Sequence, residues 1–109
     1  MNAGDLSLVL DVTCKQFTVT HNPAPKLDQN GKQKYTREGA PMFQTQLQAL
    51  DENGATILMV TTAGDRPPVA VGQVVTPFGL EAIPWSTNGK SGIAFRAREL
   101  RPVAVVAAK

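Results

Sequence analysis

The chain is poor in the side chains from which most catalytic centres are built. One cysteine, Cys14, and one histidine, His21, stand among 109 residues. A lone cysteine excludes an intrachain disulfide, fits a reducing, cytoplasmic setting, and together with a single histidine leaves no set of zinc ligands. No H-E-x-x-H run and no Walker loop is present. Gly89-Lys90-Ser91 has the ending of a phosphate loop, but Pro84 occupies the place of that loop's first glycine and no helical pattern follows. A thiol–imidazole pair of Cys14 and His21 is the one nucleophilic arrangement available, and a histidine beside a proline-containing loop reads more simply as exposed. These gaps argue against an enzyme, a cofactor and a metal. Long apolar runs are missing as well, so nothing points to a membrane span, and the N-terminus lacks the basic-then-apolar pattern of a signal peptide. Aromatics make up only 6% of the chain, which leaves the core to Val, Leu, Ile and Ala.

What the sequence does have is nine glycines and eight prolines separating short apolar runs, the pattern of a single all-β domain spanning 1–109. Leu6 to Thr13 reads as a first strand, continued past a kink by Gln16 to Thr20. Met42 to Leu50 alternates, with Phe43, Thr45, Leu47 and Ala49 on one face and Gln44, Gln46 and Gln48 on the other; a helix is compatible with the composition, but the strict alternation favours a strand. Asp51-Glu52-Asn53-Gly54 then signals a hairpin into Ala55 to Thr62. Val69 to Val75 and Phe78 to Trp85 are further strands, with Pro77 marking an edge or a break. Asn88-Gly89 supplies the two positive-φ residues of a type I′ turn. Beyond it Ile93, Phe95 and Ala97 alternate with Arg96 and Arg98. Five or six hairpin-linked strands suit a small antiparallel barrel or sandwich, of which the oligonucleotide-binding barrel is the natural small form. Residues 103–109 are an apolar tail, open to reading as an edge strand, a dimer contact or a frayed end.

Net charge is +2, but it is unevenly placed: −1 over residues 1–20, +2 over 21–41, −3 over 42–84 and +4 over 85–109. Two basic segments around an acidic middle suggest a polarised surface for a polyanion. His21 to Pro41 loses all periodicity and reads as a long basic ribbon turning at Asn30-Gly31, or as a flexible loop. Within it Tyr35 sits between Lys34 and Arg37, an aromatic inside a basic patch, which suits base stacking with phosphate pairing. The phosphate-pairing candidates are Lys32, Lys34, Arg37, Lys90, Arg96 and Arg98. The stacking candidates are Tyr35, Phe43 and Trp85, and Phe43 and Trp85 read equally well as core.

Gln16-Phe17-Thr18, Arg37-Glu38-Gly39-Ala40-Pro41, the strand Ile57-Leu58-Met59-Val60-Thr61-Thr62, the closing hairpin and Arg96-Ala97-Arg98 resemble, in that order, the gene V type helix-destabilising proteins of filamentous phage, which bind single-stranded DNA. The likeness runs from about Cys14 to Pro102. Ala-Leu-Asp-Glu-Asn-Gly at 49–54, Ile-Pro-Trp and Gly-Lys-Ser-Gly-Ile-Ala-Phe-Arg-Ala at 89–97 are similar to short replication and transfer accessory proteins of actinobacterial plasmids and conjugative elements. The resemblance implies a five-stranded oligonucleotide-binding barrel, a homodimer and cooperative coating of single strands, with Arg37 on the binding ribbon. It departs from the phage pattern after the ribbon proline, where Met42 and Phe43 replace a tyrosine. The hairpin tip Thr87-Asn88-Gly89-Lys90 also lacks the family's exposed aromatic.

The function expected is therefore sequence-tolerant binding of single-stranded DNA in phage, plasmid or conjugative-element replication. The alternative is a protein-interaction or regulatory module of a mobile element, partnered by replication or transfer proteins, without direct DNA contact.

Overall fold

A computed structural model describes residues 8–13 and 15–103. These residues contain no helix, hence none long and apolar enough to cross a membrane. Eight strands form one sheet: β1 (Leu8–Val9), β2 (Gln16–Pro25), β3 (Met42–Asp51), β4 (Gly54–Ala63), β5 (Val74–Phe78), β6 (Glu81–Thr87), β7 (Lys90–Arg96) and β8 (Glu99–Pro102). Their order across the sheet is β1-β6-β7-β4-β3-β2-β5-β8. All neighbours are antiparallel except β4 and β7, which run parallel through Val60–Phe95 and Thr61–Arg96.

A single sheet buries a core only by curling on itself, and this one forms a half-barrel. Its inner face carries Phe17 and Val19 of β2, Leu47 and Ala49 of β3, Leu58 and Val60 of β4, Val75 of β5 and Leu100 of β8. Leu10, Val12 and Phe95 pack against that cluster. The five-stranded barrel expected from the sequence is therefore replaced by an eight-stranded curled sheet whose end strands, β1 and β8, are not paired with each other. One of the extra strands, β8, is only four residues long, too brief to leave a periodic signature.

Two hairpins form where the turn residues predict them. Asp51 pairs with Gly54, and the Asp51 carboxylate accepts the Asn53 N–H at 2.8 Å. Thr87 pairs with Lys90 around Asn88 (φ 54°) and Gly89 (φ 77°), the left-handed pair a type I′ turn requires. The alternation in β3 also holds: Thr45, Leu47 and Ala49 are buried, with Phe43 half-buried on the same side. Pro77 lies in β5 opposite Leu100, beyond the short stretch where β5 meets β2. Its missing N–H therefore falls where no β2 partner waits.

Three expectations need correction. Among the described residues the first strand is Leu8–Val9, both exposed, and ends before Thr13 because the chain beyond it turns inward at Leu10 and Val12; the proposed start at Leu6, like the tail beyond Val103 and Cys14 itself, lies outside the described residues. β2 does not end at Thr20 but continues to Pro25 through two register shifts, and such bulges erase the period-two signal. The arginine strand is interrupted: β7 stops at Arg96, buried Ala97 donates its N–H to Thr61 O at 3.0 Å, and Arg98 donates to Phe78 O at 2.8 Å before β8 begins.

Candidate nucleic-acid interface

The outer face of the sheet, away from the core, carries two of the sequence candidates, Trp85 and Arg96. In β3 and β4 the directly opposed pairs Gln44–Thr61, Gln46–Met59 and Gln48–Ile57 share that face, because paired residues of neighbouring strands point the same way. The β6–β7 hairpin rises beside them. Together they bound a groove of about 320 Å³ lined by Lys26, Gln44, Ile57, Met59, Thr61, Trp85, Ile93, Ala94 and Phe95. Four large apolar side chains around it remain open to solvent: Ile57 (51%), Met59 (45%), Trp85 (45%) and Ile93 (59%). A contiguous exposed apolar patch marks an interaction surface more often than a scattered one does.

Trp85 is held in place by what lies under it. It pairs across the hairpin with Gly92, and a Cβ at Gly92 would come within 2.7 Å of the indole Cζ2. One ring face therefore rests on bare backbone, while nearly half of the side chain stays exposed.

Residues 26–42 supply the cation at the end of the groove. They form two successive turns rather than one long ribbon. Asp28 closes the first, accepting from the Asn30 and Lys32 N–H groups at 2.8 and 3.0 Å. Thr36 closes the second, its hydroxyl accepting the Ala40 N–H at 3.1 Å. Both are cinched by a closed ring of backbone bonds: Lys26 donates to Met42 at 2.9 Å, Met42 to Lys34 at 2.9 Å, and Lys34 to Lys26 at 2.7 Å. That ring fixes Lys26 so that its Nζ reaches Thr61 Oγ1 at 3.1 Å. Loss of water around the ammonium, and then the like charge of Lys34, push the Lys26 pKa below the usual lysine range.

Thr61 is also the parallel partner of Arg96. The basic insertion and the basic strand thus meet at one residue, with Lys26 on the Thr61 hydroxyl and Arg96 beside it on the same face. Arg96 is braced by its cross-strand partner Glu81, Nε to Oε1 at 2.6 Å.

The remaining candidates are dispersed. Lys34 is exposed at the ring, close enough to Lys26 to act on its charge. Lys32 and Arg37 are exposed at the two turns and Lys90 at the hairpin tip. Tyr35 is 58% exposed and bridges to Pro41. Phe43 is not in the groove: it lies on the inner side of β3 with the Arg66 guanidinium 5.4 Å from its ring centre. Arg98 lies beyond the break after β7, over Gly79. Among the described residues no group of three His, Cys, Asp or Glu is placed to hold a metal.

Sequence reasoning missed Lys26, Ile57, Met59 and Ile93 as site residues. The signal for two of them was present: Ile57-Leu58-Met59-Val60 is apolar on both faces, yet only one face of β4 meets the core.

Searches with protein-family models, among curated proteins and among solved structures match nothing to this chain.

Proposed function

We propose that the protein binds single-stranded DNA with little sequence preference, along the outer groove between the β6–β7 hairpin and the β3–β4 face. The observation that supports this reading most is the meeting of Lys26 and Arg96 at Thr61, at one end of an apolar groove walled by the exposed face of Trp85. Bases stack on the indole and lie over Ile57 and Met59, a contact available to every base and worth about 1–3 kcal/mol per stacked base. Gln44 and Thr61 offer donors and acceptors without committing to one base. Lys26 gains most from a phosphate, because its charge is poorly hydrated and faces Lys34 in the free protein. In this reading the curled sheet plays the part of an oligonucleotide-binding barrel, and the protein is a binding protein, not an enzyme. A homodimeric state and a role in phage, plasmid or conjugative-element replication rest on the resemblance, and a cytoplasmic setting on the lone cysteine.

A second reading, a docking groove for a replication or transfer protein, draws on the same exposed Ile57, Met59 and Ile93. Fluorescence anisotropy of a labelled oligothymidylate separates the two. DNA binding predicts salt-sensitive association, with Lys26→Gln/Arg96→Gln lowering the log–log salt slope by about 1.4, roughly 0.7 for each lost phosphate contact. No association at low salt overturns it and leaves the protein-docking reading.

A further inference from the structure

The break after β7 creates a second basic site that the outer groove does not use. A groove of about 280 Å³ lies at the strand ends, with Thr62, Asp65, Arg66, Arg98, Glu99 and Arg101 in its lining. Arg98 and Arg101 also border an adjoining groove with Phe78 and Glu99. Three arginines therefore border one groove, Arg66 from the loop after β4 and Arg98 and Arg101 from the segment after β7.

Each is held by its environment. The Arg66 guanidinium sits 5.4 Å from the Phe43 ring centre, with Nη1 donating to Pro23 O at 2.5 Å. That of Arg101 lies 4.2 Å from the Phe78 ring centre and pairs with Glu99. Arg98 runs across Gly79, where a Cβ would fall 2.6 Å from its Nε; Gly79 has φ +66° as well, so a side chain there is doubly disfavoured. Arg66 and Arg98 make no ion pair among the described residues. A guanidinium carries five N–H donors, so one bond to Pro23 O or to Glu99 leaves Arg66 and Arg101 others, and side chains already held in place lose less freedom on binding. The buried hydroxyl of Thr62, which lines the same groove, has no hydrogen-bond partner in the structure. Two carboxylates oppose the cations: Glu99 is taken by Arg101, and Asp65 remains.

We propose that Arg66, Arg98 and Arg101 form a phosphate-binding site. Planar forks of N–H donors match the oxygens of a phosphate. The site lies across β4 from the outer groove, since successive residues of a strand point to opposite faces: Thr61 faces the first and Thr62 lines the second. A strand that reaches both passes round the end of β4. This placement rests on the single-strand reading given above, whereas the phosphate chemistry does not, so the test has two arms.

The first arm follows the arginine Nε–H resonances of the full chain during titration with inorganic pyrophosphate at low salt. Shifts at Arg66, Arg98 and Arg101 in the wild type, with the Arg101 shift lost in Arg66→Gln/Arg98→Gln, support the site, and an Arg101 shift kept in the double variant counts against a shared site. Absence of shifts in the wild type overturns it. The second arm compares oligothymidylates of about four and about sixteen nucleotides, the range of single-strand site sizes on small barrels. If the site extends the track, the double variant binds the long oligonucleotide at least about tenfold more weakly and with a salt slope lower by roughly 1.4, but binds the short one as the wild type does. Equal loss on both, or on neither, overturns the extension. If the wild type binds neither oligonucleotide, the single-strand reading fails, and the first arm alone decides whether the phosphate site stands. Arg101→Lys, which keeps charge but removes the fork, serves should the double variant unfold; it is expected to weaken the pyrophosphate shifts, and unchanged shifts count against the fork.

Discussion

The indole of Trp85 lies on Gly92, its partner across the β6–β7 hairpin, so closely that even a methyl group there would meet the ring at 2.7 Å. Gly92 is thus the seat of the only tryptophan in the chain. Gly92→Ala is expected to lift the ring, change its emission and near-ultraviolet dichroism, and cost about 1–3 kcal/mol as other overpacked sites do. It should also weaken oligonucleotide binding severalfold. Unchanged emission would show that the ring does not rest on Gly92.

Lys26 makes a prediction in pH. Its folded pKa lies below the ordinary lysine value, through burial first and Lys34 second. The charged form is therefore the one that folding disfavours. That penalty is fully present at neutral pH and is relieved as pH rises through the folded pKa toward the ordinary value. Thermal melts of wild type and Lys26→Met across that alkaline window should show the wild type gaining relative to the variant as pH rises. A gain as pH falls would contradict the assigned environment. Phosphate binding should raise the Lys26 pKa again.

The opposite sign holds for Asp51. Its carboxylate accepts from Lys15 Nζ at 2.5 Å and from the Asn53 N–H at 2.8 Å, and these bonds, the Lys15 one first, hold its pKa below the usual aspartate range. The stabilisation is present above the unfolded value and is lost as pH falls through the folded one. Lys15→Gln should move the Asp51 carboxyl titration upward in a carbon-detected NMR experiment. An unmoved titration would mean that the Asn53 N–H alone holds the carboxylate.

In the core, Leu47 is fully buried at the centre of β3. Leu47→Ala should cost about 2–5 kcal/mol in denaturant melts. Gln48→Ala, one residue on and facing outward, should stay within about 0.5 kcal/mol. Comparable losses at the two would mean that the faces of β3 are assigned the wrong way round.

The contrast between Leu47 and Gln48 was legible in the sequence, as were the turns at 51–54 and 88–89. These features are local: a period of two, or a pair of residues that tolerate positive φ. The rest was hidden for reasons that are also physical. Pro23 and Pro25 in β2 read as a loop because bulges shift the register at His21 and Ala24. Arg96 and Arg98 read as one strand face because nothing in the letters marks the break at Ala97. The groove itself joins Lys26, Met59 and Trp85, three residues whose meeting depends on the order of strands and not on any neighbour in sequence. Phe43 and Trp85 looked alike as stacking candidates, and only the pairing of β3 and of β6 separates the one facing inward under Arg66 from the one facing out over Gly92.

The most direct measurement is the emission of Trp85 during titration with an oligothymidylate. Because it is the sole tryptophan, any change belongs to the groove wall. Binding along the outer groove predicts saturable quenching that weakens steeply with added salt and shifts to higher oligonucleotide concentration in Lys26→Gln/Arg96→Gln. Emission that stays flat while the oligonucleotide is bound elsewhere, or that never responds at all, would contradict the account.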